Sequence, residues 1–348
     1  MEHYVGIDVS LEKSSVCVMD HTGRLLRETK VASDPDALAA FLAGLGHPVT
    51  LVGLEAGPLS QWLFAGLRQA GFDAVLMMET RQVKGALKAM PVKTDRRDAE
   101  GIAHLLRMGW FRPVHCKSAS AQEVRALLTA RKLLLGKMLD IELGLRGVLR
   151  GFGLKMGKVS RGRFAARVRE LVVGNPMLEH VAQAMLTARE ALGAEMTALD
   201  RRARAHARED ATCRLLMTAP GVGVLTALTF KSAVDDPGRF RSSKMVGAHF
   251  GLTPSKHQSG EKDVTGAITR AGDGMARSTL YEAATALLTR TKAFSSLKNW
   301  GLAVARRRGR KRATVAVARK LAVILHRMWV DGSTFRFGRA AAPDAAAG

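Results

Sequence analysis

Residues 4–10 read Tyr-Val-Gly-Ile-Asp-Val-Ser, and this apolar, β-branched stretch decides the class of fold. It predicts a strand that ends near the carboxylate of Asp8. Residues 15–19 and 25–31 predict two further strands, and the turn residues between them, 20–23, predict a hairpin. The sheet is therefore expected to start with strands that are antiparallel neighbours.

Helical and strand signals alternate in the residues that follow. An Asp-Pro pair at 34–35 opens a short helix that runs to residue 45, and residues 59–70 predict a second helix. The apolar runs 49–54 and 73–77 predict two more strands. Strands joined first by hairpins and then by helices predict an α/β domain with a mixed sheet, which we place at residues 1–117.

A helical region follows, which we place at residues 118–210. Apolar side chains recur at steps of three and four from Val124 to Leu149, and this spacing predicts one long helix with an apolar stripe. Glycines after residue 150 end that helix, and residues 178–208 predict a second long helix. Two such helices packed antiparallel would form a coiled-coil arm, and a plain helical bundle fits the same pattern.

The third region, residues 211–335, is predicted to be mostly helical. Its Pro-Gly-Val-Gly stretch at 220–223 joins two helical patterns, as in a helix-hairpin-helix element. In such an element the backbone at Gly221 and Gly223 approaches a phosphate of DNA without reading its sequence. An ordinary connection between two helices is the alternative. Residues 336–348 are rich in alanine and are predicted to be disordered.

The charge balance points to the kind of partner. The chain of 348 residues carries 54 Lys and Arg against 31 Asp and Glu, a net charge of +23 at pH 7. A surplus of this size implies a polyanionic partner, most often nucleic acid. The three cysteines lie far apart, which excludes a disulfide scaffold, argues against a zinc site and fits a reducing cytosol. No run of about 18 apolar residues is present, so we expect no membrane-spanning helix.

Four carboxylates in the first domain are candidate metal ligands. Asp8 and Glu55 each follow a predicted strand, and adjacent strands would bring them together. Asp95 and Asp98 follow Thr94, a helix-capping residue, and their spacing of three places them on one helix face. Converging carboxylates repel one another unless a divalent cation lies between them, and hard oxygen ligands suit Mg²⁺ or Mn²⁺. Two such ions can clamp a phosphodiester and stabilise its attacking and leaving oxygens.

Each of these acids also has an ordinary explanation as a helix cap or a surface charge. That explanation is strong for Asp95 and Asp98, because acids are common in the first turn of a helix. It is weaker for Asp8, because an apolar strand rarely ends in a buried carboxylate without a partner.

Ser259 is the candidate nucleophile. The segment 247–277 is rich in Gly, Ser and Lys yet contains apolar residues at intervals, which predicts a shaped loop rather than a linker. Gly260 leaves the Ser259 hydroxyl open to approach, and nearby cations would favour a bound phosphate and an alkoxide. A serine before a glycine is also common in any turn. The residues expected to surround Ser259 are Lys256, His257, Lys262 and Arg270, and Arg277 is assigned with Lys256, Lys262 and Arg270 to nucleic-acid binding.

The densest charge cluster is residues 306–312, which read Arg-Arg-Arg-Gly-Arg-Lys-Arg. This run predicts a contact with a nucleic-acid backbone whose strength falls steeply with salt. A solvated helix face is the alternative. The residues assigned to the contact are Arg307, Arg308, Arg310 and Lys311.

Taken in order, these motifs resemble the IS110 family of transposases over nearly the whole chain, from about residue 4 to about residue 329. Asp8 and Glu55 carry the first part of the resemblance. Three motifs carry the rest: Lys-Thr-Asp-Arg-Arg-Asp-Ala at 93–99, Pro-Gly-Val-Gly at 220–223, and Gly-Leu-Thr-Pro followed by Ser-Gly within 251–260.

The resemblance implies an N-terminal domain that is RuvC-like, of the ribonuclease H fold, with Asp8, Glu55, Asp95 and Asp98 as its acidic set. It implies a C-terminal transposase domain in which Ser259 attacks DNA and forms a covalent phosphoserine link, as serine recombinases do. The family is also associated with a structured noncoding RNA that pairs with donor and target DNA. We therefore expect a bacterial cytosolic enzyme that acts on double-stranded DNA with Mg²⁺ or Mn²⁺. We also expect that a noncoding guide RNA directs it to its DNA and that it forms a dimer or tetramer.

Three other functions fit part of the pattern. A Holliday-junction endonuclease of the same fold would use metal-activated water and leave Ser259 a structural role. A sugar kinase of the actin-like fold would use residues 6–10 as a phosphate-binding turn, yet it has no use for so much positive charge. A non-catalytic nucleoid or RNA-binding protein would use the charge alone.

Overall fold

A computed structural model describes residues 2–88 and 94–338. The chain divides into two compact units, Met1–Lys117 and Ser118–Gly348, and each unit has its own core. Lys93, the first residue of the Lys-Thr-Asp-Arg-Arg-Asp-Ala motif, and residues 339–348 of the tail lie outside the described residues. Residues 336–338 of the predicted tail are described, and they form neither helix nor strand.

A six-stranded mixed sheet forms the centre of the first unit. Its strand order is β3-β2-β1-β4-β5-β6, with β1, β4 and β5 parallel and the other pairings antiparallel. This arrangement confirms the predicted α/β class and its mixed sheet. The two-residue strand β6 was not predicted, because so short a run has no alternating pattern. The strands are β1 (His3–Asp8), β2 (Lys13–Asp20), β3 (Leu25–Ala32), β4 (Leu51–Glu55), β5 (Val75–Met78) and β6 (Pro113–Val114).

Four helices of the first unit cover the two faces of this sheet. Helices α1 (Pro35–Ala43) and α2 (Ser60–Gln69) pack against one face, and α3 (Thr80–Leu87) and α4 (Asp95–Arg107) pack against the other. The Asp34 carboxylate accepts hydrogen bonds from the first N–H groups of α1, so the cap lies where the Asp-Pro pair predicted it. Helix α3 was not predicted, because it is only eight residues long and buries a single side chain, that of Val83.

Two glycines let α4 lie directly on the sheet. A Cβ atom on Gly6 of β1 would lie 2.1 Å from the carbonyl oxygen of Ala99 and 2.5 Å from the nitrogen of Ala103. A Cβ atom on Gly53 of β4, which pairs with Gly6, would lie 2.9 Å from a methyl carbon of Leu106. The backbone of α4 therefore passes β1 at a distance that only glycine allows.

We predict that Gly6→Ala destabilises the first unit by about 1–3 kcal/mol or more, because the added methyl meets the rigid backbone of α4. Thermal or urea unfolding of the purified protein measures the change. Gly85→Ala is the matched control: no atom lies within 4 Å of a Cβ there. Since Gly85 is inside a helix, alanine at that position should be neutral or slightly stabilising. Equal stability of the Gly6 variant and the parent would contradict the close packing of α4.

The described residues of the second unit form nine α-helices, two short 3₁₀ helices and one hairpin. The helices of its first half are α5 (Ala119–Gly151), α6 (Phe164–Val172), α7 (Pro176–Glu209), α8 (Ala211–Leu216) and α9 (Val224–Val234). Those of its second half are α10 (Lys244–His249), α11 (Gly274–Thr289), α12 (Ser296–Arg308) and α13 (Arg310–Asp331). The hairpin consists of β7 (Pro254–Ser259) and β8 (Lys262–Ile268). The predominantly helical character of this part was predicted.

Helices α5 and α7 form a long antiparallel pair, which we call the arm. Arg131 near the start of α5 is ion-paired with Asp200 near the end of α7. Farther along α5, Glu142 lies 2.7 Å from a guanidinium nitrogen of Arg189, so the partners run in opposite directions. At its base the arm shares one hydrophobic core with α9, α11 and α13 through Leu128. The arm and residues 211–338 therefore form one unit, and their division into separate domains stays a prediction.

The prediction for the segment around Ser259 was wrong in its secondary structure. Residues 254–268 were expected to be a shaped loop, and they form the β7–β8 hairpin instead. The strands are mostly exposed on both sides, so they lack the alternation of apolar and polar residues that identifies a half-buried strand.

Among the residues that the structure describes, no helix is both long enough and apolar enough to cross a bilayer.

Candidate functional site

Asp8 and Glu55 lie side by side at one edge of the sheet. Each is the last residue of its strand, and β1 and β4 are parallel neighbours with Ile7 paired to Leu54. The prediction that adjacent strands bring these two acids together is thus consistent with the observed pairing. Both side chains face α4, because side chains two residues apart share a face and the Gly6 and Gly53 positions contact that helix.

Helix α4 brings Asp95 and Asp98 to the same end of the sheet. The strand register aligns Asp8 with Ser15 of β2 and Ser15 with Lys30 of β3, and Lys30 Nζ lies 3.8 Å from Asp95 Oδ2. The first turn of α4 therefore lies level with Asp8. Thr94 caps α4 by accepting a hydrogen bond from the Arg97 N–H, as its position in the sequence predicted.

The four acids differ in their surroundings. Asp98 is half-buried, and no described residue forms an ion pair or hydrogen bond with its carboxylate. Asp95 is 58% exposed and leans over β3 towards Lys30, two strands away from Asp8. Glu55 is 19% exposed and lies 3.8 Å from Lys84 Nζ of α3. Within residues 2–88 and 94–338, no three His, Cys, Asp or Glu side chains are grouped closely enough to bind a metal.

The donor chemistry nevertheless suits a hard divalent cation. All four groups are carboxylates, and the ammonium groups of Lys30 and Lys84 lie beside two of them. The Ser15 hydroxyl, in the strand position opposite Asp8, is buried and has no hydrogen-bond partner among the described residues. An unsatisfied buried hydroxyl is costly, and the water shell of a hydrated ion on Asp8 would satisfy it. The four carboxylates are thus of a ligand type that suits a divalent cation, but they are not grouped closely enough in this structure to bind one, and Asp95 is paired with Lys30.

Ser259 lies at the tip of the β7–β8 hairpin. It is the last residue of β7, it is paired with Lys262, and Gly260 in the connecting turn has a φ of +56°. The Ser259 side chain is exposed and makes no hydrogen bond with any described residue. Its hydroxyl is therefore accessible to a large substrate, as the sequence predicted.

The hairpin register separates the residues expected around Ser259. Lys262 is its cross-strand partner, and His257 is two positions away on the same face. Lys256 lies on the opposite face, 3.3 Å from Asp263 Oδ2. Arg270 lies beyond the other end of the hairpin, roughly 17 Å or more away at about 3.3 Å per strand residue. The structure thus groups Ser259 with Lys262 and His257, and it does not place Lys256 or Arg270 beside it.

Arg270 and Arg277 belong to the base of the hairpin. Arg270 has a left-handed backbone, with φ of +54°, and its N–H donates to the Gly251 carbonyl. Arg277 Nη1 donates to the carbonyls of Phe250, at 3.1 Å, and Ala271, at 2.9 Å. Its guanidinium therefore fixes the base of the hairpin, and a direct contact of Arg277 with nucleic acid stays a prediction.

The predicted helix-hairpin-helix glycines lie in the turn between α8 and α9. Gly221 has a φ of +85°, and a Cβ there would lie 2.4 Å from the Ala283 carbonyl of α11, so packing alone requires a glycine. Gly223 is exposed and precedes the first N–H groups of α9. A cleft of about 440 Å³ opens beside both glycines, and Arg204 and Arg290 line it without a carboxylate partner among the described residues.

A half-buried ion pair links α8 to α9. Asp210 caps α8 by accepting a hydrogen bond from the Cys213 N–H at 2.8 Å, and Lys231 of α9 donates to its other oxygen. Burial alone would raise the pKa of the Asp210 carboxyl, but these hydrogen bonds hold the pKa below its ordinary value. The ion pair therefore connects the two helices that the turn with Gly221 and Gly223 joins.

The basic run 306–312 is exposed over its whole length. Arg306, Arg307 and Arg308 form the last turn of α12, and α13 begins at Arg310 directly after Gly309. Cations in the first turn of a helix are unfavourable, because the helix N-terminus is already positive. Their presence in α13 at Arg310 and Lys311 is consistent with the predicted contact with a polyanion.

Two of the three cysteines can be excluded as nucleophiles. Burial raises the pKa of the Cys17 thiol to about 12, and burial raises the pKa of Cys213 to about 12 as well. Since the thiolate is the reactive form, both side chains are inert at neutral pH. Neither buried thiol is therefore an alternative to Ser259 as the nucleophile.

We call the end of the sheet that carries Asp8, Glu55, Asp95 and Asp98 the acidic edge, and three further residues there were not predicted from the sequence. Ser15 and Lys30 follow from the hairpin register of the first three strands, so counting cross-strand partners of Asp8 could have found them. Lys84 could not be found in this way, because it lies on helix α3 and not on a strand of the sheet.

Comparisons with known proteins match both units. A family model described as "Transposase", whose name specifies the DEDD type of IS110 elements, matches residues 5–153. The model of the "Transposase IS116/IS110/IS902 family" matches residues 213–299. The two matches contain every acid of the first unit discussed above and Ser259 of the second.

Whole-length relatives agree with the family models. The chain is 32% identical to the transposase for insertion sequence element IS1111A of Coxiella burnetii, over 96% of this chain and 91% of that protein. It is 27% identical to a "Probable family 20 transposase" of Pseudomonas aeruginosa, over 84% and 87%. It is 25% identical to the transposase for element IS1328 of Yersinia enterocolitica, over 95% and 98%.

The α/β unit, the helical unit and these matches together define a transposase, an enzyme that cleaves and joins DNA. Within that class the chain belongs to the IS110 family, and the resemblance stated from its motifs is confirmed.

Proposed function

We propose that this transposase of an insertion sequence cleaves and rejoins double-stranded DNA through a covalent phosphoserine at Ser259, assisted by Mg²⁺ or Mn²⁺ at the acidic edge. The observation that carries the proposal is the placement of Ser259, which is exposed at a hairpin tip between Lys262 and the turn glycine. Thr265 is also exposed opposite a lysine, Lys256, but it lies within β8, whereas Ser259 lies at the tip and is followed by a glycine.

In the proposed reaction the Ser259 Oγ attacks a phosphorus atom of the DNA backbone. A bond forms between Oγ and phosphorus, the bond from phosphorus to one sugar oxygen breaks, and the serine proton passes to solvent or to the leaving oxygen. The free hydroxyl of another strand then attacks the same phosphorus, and Oγ leaves. Because the phosphoester bond is conserved in the intermediate, rejoining needs no ATP.

Lys262 and His257 would assist this attack from the same face of the hairpin. The Lys262 ammonium, as cross-strand partner, would stabilise negative charge on the phosphate oxygens. The His257 imidazole is in position to accept a proton by way of a water, at the spacing of alternate residues on one strand.

Asp8, Glu55 and Asp98 would hold the divalent ion, with Asp95 joining them when it releases Lys30. A bound Mg²⁺ polarises a phosphoryl oxygen and offsets the charge of the transition state. The mixed sheet with a hairpin start and parallel strands thereafter supports a RuvC-like assignment of this unit. We propose that these acids and Ser259 act on the same DNA linkage, supplied by one chain or by two copies in a dimer or tetramer.

Two turn glycines and a set of basic residues supply the remaining DNA contacts in this proposal. The residues concerned are Gly221 and Gly223 of the α8–α9 turn, Lys256, Lys262, Arg270 and Arg277 in and beside the hairpin, and Arg307, Arg308, Arg310 and Lys311 of the basic run. Guidance by a structured noncoding RNA is proposed from the family resemblance, and the net charge of +23 supports binding of both nucleic acids.

We predict that removal of divalent ions abolishes strand cleavage and leaves DNA binding largely intact. Nicking of a supercoiled plasmid that carries the element ends should occur with Mg²⁺, stop in EDTA, and return when excess Mn²⁺ is added. Binding to the same DNA in EDTA is the control, because phosphate contacts by Lys and Arg need no metal. Undiminished cleavage in EDTA would contradict the proposed metal site.

The same assay separates the rival functions. A Holliday-junction endonuclease would cleave with Mg²⁺ and leave no protein attached to the DNA. A nucleoid or RNA-binding protein would bind with and without Mg²⁺ and would not cleave.

A further inference from the structure

We propose that the end of the arm remote from the rest of the second unit is a binding site for the phosphate backbone of duplex DNA. We call residues 144–169, at the junction of α5 and α6, the arm tip. The inference rests on the proposed function only in taking DNA as the substrate, and none of the residues assigned above lies in this segment.

Apart from the segment 283–330, which contains the basic run, the arm tip lies in the longest stretch of the second unit without an Asp or Glu. Residues 144–169 contain eight Lys and Arg and no Asp or Glu. Arg167 lies 3.1 Å from Glu170, and Arg169 donates to the Gln183 side chain. The remaining six have no carboxylate partner among the described residues, and they are Arg146, Arg150, Lys155, Lys158, Arg161 and Arg163.

A cavity of about 260 Å³ lies within this group of cations. Arg146, Arg150 and Lys155 line it together with Leu154, Met156 and Gly157. The cavity is larger than a phosphate group and is bordered by three cationic side chains and no acid. Such a site favours an oxyanion, because charge-assisted hydrogen bonds to phosphate are the strongest that these side chains make.

Contacts within the arm tip fix the Arg146 side chain and the turn that follows α5. Arg146 Nη1 donates to the Gly157 carbonyl at 3.1 Å, and its guanidinium lies 5.5 Å from the centre of the Phe164 ring. The chain reverses after α5 at Gly153, whose φ is +75°, and the Leu154 N–H donates back to the Leu149 carbonyl at 2.9 Å. A fixed group of like charges is costly to assemble, and a polyanion that binds it offsets the repulsion.

The arm tip also has a core of its own. Leu149, Met156, Phe164 and Val168 are buried there, and they form a cluster separate from the core at the base of the arm. The basic surface is therefore supported by folded structure rather than carried by an irregular loop. It can be presented to a partner with little loss of conformational entropy.

The composition of the arm tip favours a duplex over a single strand. Single-strand sites combine a basic groove with a series of aromatic side chains that stack on successive bases. The arm tip contains two aromatic residues, Phe152 and Phe164, and Phe164 is buried. Phosphate contacts without stacking or base-edge contacts bind a duplex backbone independently of its sequence.

The length of the arm determines where such a contact falls. Arg125 near the start of α5 lies 2.8 Å from Asp273, the residue that caps α11, so this end of α5 is fixed to the body of the unit. Arg150 lies 25 residues farther on, which at 1.5 Å per residue is about 37 Å. That distance equals about eleven base pairs at 3.4 Å each. The arm tip can therefore contribute only when DNA extends well beyond the body.

The test compares duplex length and salt dependence in the full-length protein. The variant carries Arg150→Ala, Lys155→Ala and Lys158→Ala, three exposed side chains outside the tip core. Its matched control carries Arg150→Lys, which keeps the charge, with Lys155→Arg and Lys158→Arg. Affinities are measured in EDTA, so that no cleavage occurs, for duplexes of about 12 and about 40 base pairs and for a 40-base-pair RNA duplex.

We expect the alanine variant to bind the long DNA duplex roughly tenfold more weakly. The negative slope of log K against log salt concentration should become shallower by about 2–3, because each lost phosphate contact accounts for about 0.9. Binding to the short duplex and all binding by the control should be unchanged. Circular dichroism and the melting temperature verify that the variant is folded.

Three outcomes would overturn the proposal: an unchanged salt slope on the long DNA, equal weakening on both lengths, or weakening confined to the RNA duplex. Failure here is distinguishable from failure of the proposed function. If the arm-tip variant binds long DNA normally, the assignment of Ser259 as the nucleophile is not affected. If no covalent intermediate forms at Ser259, the arm-tip variant can still bind long DNA more weakly than the parent.

Discussion

Ser259→Ala is expected to abolish both DNA cleavage and the covalent attachment of protein to DNA. The loss should be at least about 10³-fold, or ~4 kcal/mol in the barrier, because the variant has no oxygen to form the bond to phosphorus. Strand cleavage and a denaturing gel that separates free from protein-linked DNA measure the two effects. DNA binding should be unchanged, since Ser259 is exposed and contributes no charge.

Ser255→Ala is the matched control for this variant. Ser255 lies on the same strand, and its hydroxyl donates to the Ala267 carbonyl at 3.1 Å. Its loss costs at most one exposed hydrogen bond, about 1 kcal/mol, and should leave the chemistry intact. A Ser259→Ala protein that still forms the covalent adduct would defeat the assignment of the nucleophile.

Asp8→Asn is expected to abolish metal-dependent cleavage while most DNA binding remains. Asparagine keeps the shape of the side chain but removes one negative charge and a strong oxygen ligand, so metal affinity should fall by 10-fold or more and cleavage by about 10²-fold or more. Cleavage at increasing Mn²⁺ concentrations measures the change. We also expect Mg²⁺ to raise the melting temperature of the parent protein, because it binds the folded state, and this increase should be absent in Asp8→Asn.

Asp36→Asn provides the control for a lost carboxylate. Asp36 is an exposed acid in the first turn of α1, on the face of the sheet opposite to α4. Its replacement removes the same charge from the same unit and should leave cleavage and the Mg²⁺ effect unchanged. If Asp8→Asn cleaved DNA as well as Asp36→Asn does, the metal site would have to lie elsewhere.

The predictions from sequence were best where local pattern and packing agree. The hairpin start of the sheet, the Asp34 and Thr94 caps and the two long helices of the arm each follow from short-range signals. The adjacency of Asp8 and Glu55 also follows, because both end apolar strands that must pair to bury their faces.

The rest depends on contacts between distant residues. Nothing in the local sequence shows that Asp95 turns towards Lys30, since that requires the position of β3 beneath the first turn of α4. The separation of Arg270 from Ser259 depends on the hairpin register, which exposed strands do not encode by alternating hydrophobicity. Gly221 was assigned to phosphate binding, whereas its contact with α11 already requires a glycine.

Identification of the linked residue is the most direct test of the central claim. Trypsin cleaves after Lys256 and Lys262, so the peptide 257–262 contains Ser259 as its only hydroxyl residue. After reaction with Mg²⁺ and digestion of the DNA, mass spectrometry should find a nucleotide phosphate on this peptide, and the adduct should be absent in EDTA and in Asp8→Asn. Cleaved DNA with no adduct on peptide 257–262, or an adduct on another peptide, would contradict the account.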